Sequence, residues 1–95
     1  MIHKIKLQKE FADAVLSGDK CFEIRKNDRG YQKGDKVQFK VMDGIYEYYL
    51  PYIENHKHPL SEKLYEITYV ISGWGLENGF VVFGIREDGA DGNNT

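Results

Sequence analysis

The chain is 95 residues long, 41% hydrophobic and 29% charged, with a formal net charge of −2. That is one domain of ordinary soluble composition, with enough chain for a single core and little to spare. It has no run of about 18 apolar residues that would make a membrane-spanning helix, and its one cysteine, Cys21, excludes an intrachain disulfide and the multi-cysteine zinc patterns.

The first residues, Met1-Ile2-His3-Lys4, lack the apolar core of a secretory signal, so a cytosolic protein is expected. Ile2 to Leu7 alternates as a strand, with His3, Ile5 and Leu7 on one face and Lys4 and Lys6 on the other. Lys9 to Ser17 switches to helical spacing and groups Phe11, Ala14 and Val15 on one face, with Ala12 and Leu16 beside them. Gly18 stands where a left-handed helix cap is expected.

From Lys20 the period returns to two. Phe22 and Ile24 read as an inward pair, with Cys21, Glu23 and Arg25 on the opposite face. Asn27, Asp28 and Gly30, then Lys33-Gly34-Asp35, supply turns. Val37, Phe39 and Val41 mark a further strand, and Asp43-Gly44 predicts a hairpin returning over Ile45 to Leu50. Pro51 to Glu62 reads as a loop. Lys63 to Ser72 reads as a strand with Tyr65, Ile67, Tyr69 and Ile71 on one apolar face. Gly73 to Gly79 is a turn, and Phe80 to Arg86 a strand apolar on both faces. Residues 87–95, rich in Gly, Asn and Asp, are expected to be a disordered tail to a single domain over 1–86.

One helix and five or six strands joined by short turns predict a mostly β fold. The expected form is a small, largely antiparallel β-barrel with the N-terminal helix over one end; a flat α+β sheet is the alternative.

Charge is unevenly spread. Residues 1–40 carry ten Lys and Arg against six Asp and Glu, and residues 41–95 carry three against nine. A basic N-terminal half suits phosphates, although uneven charge also arises in domains without such ligands. Lys20, Glu23 and Arg25 stand out within it. Glu23 and Arg25 share a face roughly 7 Å apart along the strand, and Lys20 at the strand start is free to turn out of the pleat. Two cations around a carboxylate suit a ligand with a phosphate and a donating edge, such as a nucleotide. A solvated cross-strand charge ladder is the competing explanation.

Gly18-x-Lys20-x-x-Glu23-x-Arg25 resembles the GxKxxExR signature of the ASCH superfamily of PUA-like β-barrels. The run Phe22-Glu-Ile-Arg-Lys-Asn-Asp-Arg29, followed by Gly34-Asp35, is similar to one ASCH-related family of small bacterial and phage proteins of unknown function. His3 to Lys6, the helix from Phe11 to Leu16, and Gly75 to Val82 match it in order, over roughly residues 1 to 86 apart from a variable Gly44–Glu62 segment. The resemblance implies a barrel with an early helix, RNA recognition, and a cleft between helix and barrel lined by Lys20, Glu23 and Arg25. Lys26, Asn27, Asp28 and Arg29 would shape and extend its rim, and His3 would reach it from the neighbouring strand or serve as a buried barrel residue.

Some ASCH-like relatives are amidohydrolases that deacetylate N-acetylcytidine with a lysine, a threonine and a later glutamate. Lys20 matches the lysine, but Glu23 falls at the threonine and only Glu77 is available, by order, for the glutamate. In such an enzyme Glu23 would activate water as a general base, and Lys20 or Arg25 would stabilise an oxyanion.

Four other features carry weaker chemistry. Cys21 reads as packing rather than a nucleophile. His56 and His58 lack further ligands at metal spacing and read as a solvated loop. Tyr46, Tyr48, Tyr49 and Tyr52 suit half-buried hairpin packing, with base stacking as the other use, and Trp74 would overhang a cleft or plug a barrel end. The expectation is therefore an RNA- or nucleotide-binding ASCH-like domain without metal or cofactor. A modified-nucleoside hydrolase and a protein-interaction module are the alternatives.

Overall fold

The computed structural model describes residues 1–44 and 53–89. Its elements in chain order are β1 (Ile2–Gln8), α1 (Lys9–Ser17), β2 (Phe22–Lys26), β3 (Lys36–Asp43), β4 (Ile53–Glu54), a 3-10 turn (Pro59–Glu62), β5 (Leu64–Ser72) and β6 (Phe80–Glu87). The protein is thus mostly β with one α-helix among the described residues. The expected strand over Ile45–Leu50, all four of Tyr46, Tyr48, Tyr49 and Tyr52, and residues 90–95 of the tail lie outside the described residues.

The strand order is β1-β3-β5-β6-β2, with β4 added to β3. β1 pairs with β3 in parallel and the other pairings are antiparallel. The sheet curls into a half-barrel until its terminal strands, β1 and β2, face each other across an open seam. There, instead of a ladder, the Arg25 side chain reaches from β2 to the Lys6 carbonyl of β1, at 2.6 Å. The inner face collects Ile5 and Leu7 from β1, Val37, Phe39 and Val41 from β3, Tyr65 and Ile67 from β5, and Val81, Phe83 and Ile85 from β6. α1 closes the core with Ala12 and Val15. Among the described residues no helix is long and apolar enough to cross a membrane.

Two faces differ from the sequence reading. On β2 it is Glu23 and Arg25 that turn inward, while Phe22 and Ile24 are exposed. Register explains this: Glu23 and Arg25 lie opposite Phe83 and Val81, both buried on β6, so they share the inner face. On β5, Tyr65 and Ile67 are buried as expected, but Tyr69 and Ile71 are exposed. A register shift between Ile67 and Tyr69 inserts an extra residue at Thr68. Such a bulge exchanges the faces beyond it, and Val70 rather than Tyr69 packs on the core.

The segment after β4 is anchored rather than solvated. His58 is buried; its Nε2 hydrogen-bonds Asp13 of α1 at 2.7 Å and its Nδ1 accepts from the Leu60 amide at 3.1 Å. Because Nδ1 accepts, Nε2 carries the ring proton and donates to the carboxylate. The clasp seats fully buried Leu60 against helix and sheet. Asp13, held also by Lys9, has its carboxyl below the usual range, first through the His58 hydrogen bond.

Candidate functional site

α1 ends at Gly18, whose φ of 88° lies in the left-handed region that a side chain disfavours. The reversal is locked by the Lys20 amide donating to the Ala14 carbonyl at 3.0 Å. This delivers Lys20 to the seam just before β2 begins. Its ammonium donates to the Phe22 carbonyl at 2.9 Å and pairs with Glu23 Oε2. Glu23 Oε1 accepts from Arg25 Nε at 3.0 Å and lies 2.9 Å from Nη2.

Glu23 is only 2% exposed, a carboxylate inside a barrel, and it is tolerable there because each oxygen meets a cation. Two cations share one carboxylate, so the cluster carries a net charge of +1. Arg25 Nη1 makes no hydrogen bond among the described residues.

The cluster floors a cavity of about 500 Å³ in the seam, whose apolar walls include Leu7, Phe11, Phe22 and Ile24. That volume lies in the range of small-molecule sites. The Lys20 ammonium stands 5.6 Å from the Phe11 ring centre and 5.3 Å from that of Phe22, so both rings offer it a cation–π contact. Burial, and then the neighbouring Arg25 charge, push Lys20 down to about 8. The Glu23 carboxylate opposes that push. Arg25 is also lowered by burial, but a guanidinium stays protonated at neutral pH.

Lys20, Glu23 and Arg25 therefore converge in one cleft. Lys26, Asp28 and Arg29 instead line a neighbouring groove of about 430 Å³ that shares Lys6 and Arg25 with the cleft. The Asn27 side chain is taken up by the turn, its Oδ1 accepting from the Tyr31 amide at 3.0 Å, and the Asn27 backbone N–H donates to the Gly79 carbonyl at 2.8 Å. His3 is buried away from the cleft, with Nε2 2.8 Å from Asp35 Oδ2 and its ring 4.8 Å from that of Tyr31. The His3 hydrogen bond holds the Asp35 carboxyl below its usual range. Cys21 is exposed, and Glu77 and Trp74 stand exposed on the β5–β6 turn, Trp74 at a φ of 53°. Among the described residues no three His, Cys, Asp or Glu side chains gather as a metal site.

Sequence reasoning missed the aromatic walls. Phe11 falls on the apolar helix face and Phe22 on an apolar strand pair, patterns that normally mean core, yet they are 43% and 42% exposed at the cleft mouth. Their signal was position: each lies beside the Gly18–Arg25 run, one on the helix that precedes it and one within it. Lys6, which accepts Arg25 through its carbonyl, carried no such signal.

A family model described as a domain of unknown function, DUF3850, matches residues 2–85. The chain is also 50% identical over 36 residues to an uncharacterized 12.9 kDa protein of Escherichia phage P2, encoded in the GpA 3′ region. That match covers 38% of this chain and 33% of the phage protein.

Proposed function

The chain belongs to the DUF3850 family, and from that footing we propose that it is an ASCH-like domain whose seam cleft binds RNA or a nucleotide-like ligand. The observation that carries this reading is the buried Lys20–Glu23–Arg25 cluster, net +1, beneath two exposed phenylalanine rings. A base fits the apolar walls and gains from stacking on an aromatic ring. Its phosphate meets the Nη1 edge of Arg25, and Lys20 adds a second positive charge. The GxKxxExR spacing supports the same reading, since it supplies all three members of the cluster.

Fluorescence anisotropy with labelled single-stranded RNA tests it. Lys20→Ala/Arg25→Ala is expected to weaken binding at least tenfold at constant salt. Equal, weak, salt-sensitive binding by both proteins would overturn the cleft.

A second reading rests on Lys20 alone. An amine brought down to about 8 is partly neutral near physiological pH and can accept a proton. Glu23 suits that role less, because both its oxygens already face cations. Hydrolysis of acylated cytidines, lost on Lys20→Arg, would favour this reading; no turnover across such a panel would remove it.

A further inference from the structure

The groove beside the cleft holds an unusual set of charges. Of the 13 Lys and Arg, six are ion-paired: Lys9, Lys20, Arg25, Lys36, Lys63 and Arg86. The other seven make no ion pair among the described residues. Five of those seven, Lys4, Lys6, Lys26, Arg29 and Lys40, line this one groove, where Asp28 is the sole carboxylate.

The sheet itself forces two of them together. Lys6 of β1 is the direct cross-strand partner of Lys40 of β3, on the outward face. Like charges placed opposite each other are destabilising. Lys4 continues the row on the same face, roughly 7 Å further along β1. Lys4 and Lys40 also border a recess that holds Glu54 and Glu62, but none of the three lysines makes an ion pair among the described residues, and a row of cations at that spacing complements an extended chain of anions. Lys6 and Arg25 line both groove and cleft, so a single strand can occupy the two at once.

Building on the cleft reading, we propose that this groove is a phosphate track for a single-stranded nucleic acid, which holds the backbone flanking the nucleotide seated in the cleft. The ligand is then a strand several nucleotides long rather than a mononucleotide. Because a base must leave its stack to enter between Phe11 and Phe22, a duplex is excluded from the joint site.

The test compares a labelled mononucleotide, single strands of RNA and of DNA of about eight nucleotides, and the matching duplex. Each is titrated over about 50 to 200 mM salt against the wild type, Lys4→Gln/Lys40→Gln and Lys20→Met. Lys4 and Lys40 line the track and not the cleft, and neither makes an ion pair among the described residues. The octamer is expected to bind the wild type at least tenfold tighter than the mononucleotide. The Lys4/Lys40 variant is expected to weaken the octamer roughly tenfold and to lower its log–log salt slope by about 1.4, from two phosphate contacts. The RNA and DNA arms identify which strand is held.

Octamer affinity no better than the mononucleotide's, an unchanged salt slope in the Lys4/Lys40 variant, or equal binding of the duplex would each overturn the track. If the octamer depends on Lys4 and Lys40 while the mononucleotide fails to bind and Lys20→Met has no effect, the track stands and the cleft reading falls.

Discussion

Glu23 is the residue on which the cleft depends physically. With side chains 17% and 25% exposed, Lys20 and Arg25 are held near each other by the carboxylate between them. Glu23→Gln leaves two half-buried cations facing each other, and the expected loss is about 3 kcal/mol of folding stability, read as a lower urea midpoint at unchanged m-value. Lys20 adds a pH signature. Its ordinary value of 10.5 is lowered to about 8, so an anionic ligand that needs the ammonium is held fully below about 8 and progressively less above it. Nucleotide affinity measured from neutral pH upward is expected to fall through that value, and Lys20→Arg is expected to flatten the profile. For folding the sign is opposite. Between about 8 and 10.5 the native state has shed a proton that the unfolded chain retains, so Lys20 makes stability rise with pH across that window. The spacing of Lys20, Glu23 and Arg25 was legible as a group in the sequence. Their burial was not, because alternation states which residues share a face but not which face is inside.

At the scale of elements, register decides what alternation leaves open. β2 reads as an ordinary amphipathic strand, and its pairing with β6 turns the charged side inward. β5 reads as one continuous apolar face, and the bulge at Thr68 divides it. Gly84 on β6 belongs to that bulge: a Cβ there would stand 2.6 Å from Thr68 Oγ1, closer than a Cβ approaches a non-bonded heavy atom. Gly84→Ala is expected to cost about 1 to 3 kcal/mol by overpacking, and Thr68→Ala in the same chain is expected to recover most of it, a coupling that a double-mutant cycle on urea midpoints reads directly. The His58 clasp was hidden for a related reason. Two histidines in a Pro- and Asn-containing segment look solvated until the partner, Asp13, arrives from a helix 45 residues away. His58→Ala removes the bond to α1 and leaves the Leu60 amide unpartnered. The expected loss is about 2 kcal/mol, and backbone amide exchange is expected to quicken over 59–62 before it does in β6.

In the whole molecule, the curl of the sheet converts a sequence asymmetry into a spatial one. β1, β2 and most of β3 come from the basic N-terminal half, and the order β1-β3-β5-β6-β2 brings β1 and β2 together across the seam. Lys36, at the foot of β3, is neutralised by Glu66 and Asp88 at 2.8 Å each, while Lys4, Lys6 and Lys40 make no ion pair among the described residues. The mostly β class, the single helix and the five principal strands among the described residues were readable from period and turn residues, whereas β4 and the 3-10 turn fall in the Pro51–Glu62 stretch that reads as a loop. The open seam was not, since closure depends on the curl of all five principal strands together. A rival surface runs outward from the cleft walls Phe22 and Ile24 across the outer face: Phe22 and Tyr69 flank Gly84, and Ile24 and Ile71 flank Val82, in two adjacent cross-strand rows with Tyr69 62% exposed. The two surfaces can be told apart in one titration. Backbone amide shifts of the isotopically labelled protein, followed as single-stranded RNA is added, are predicted to move most at Lys4 to Phe11 and Lys20 to Arg29, along both sides of the seam. Shifts centred instead on Tyr69, Ile71 and Trp74, or none at saturating RNA, would contradict the assignment of the seam as the nucleic-acid site.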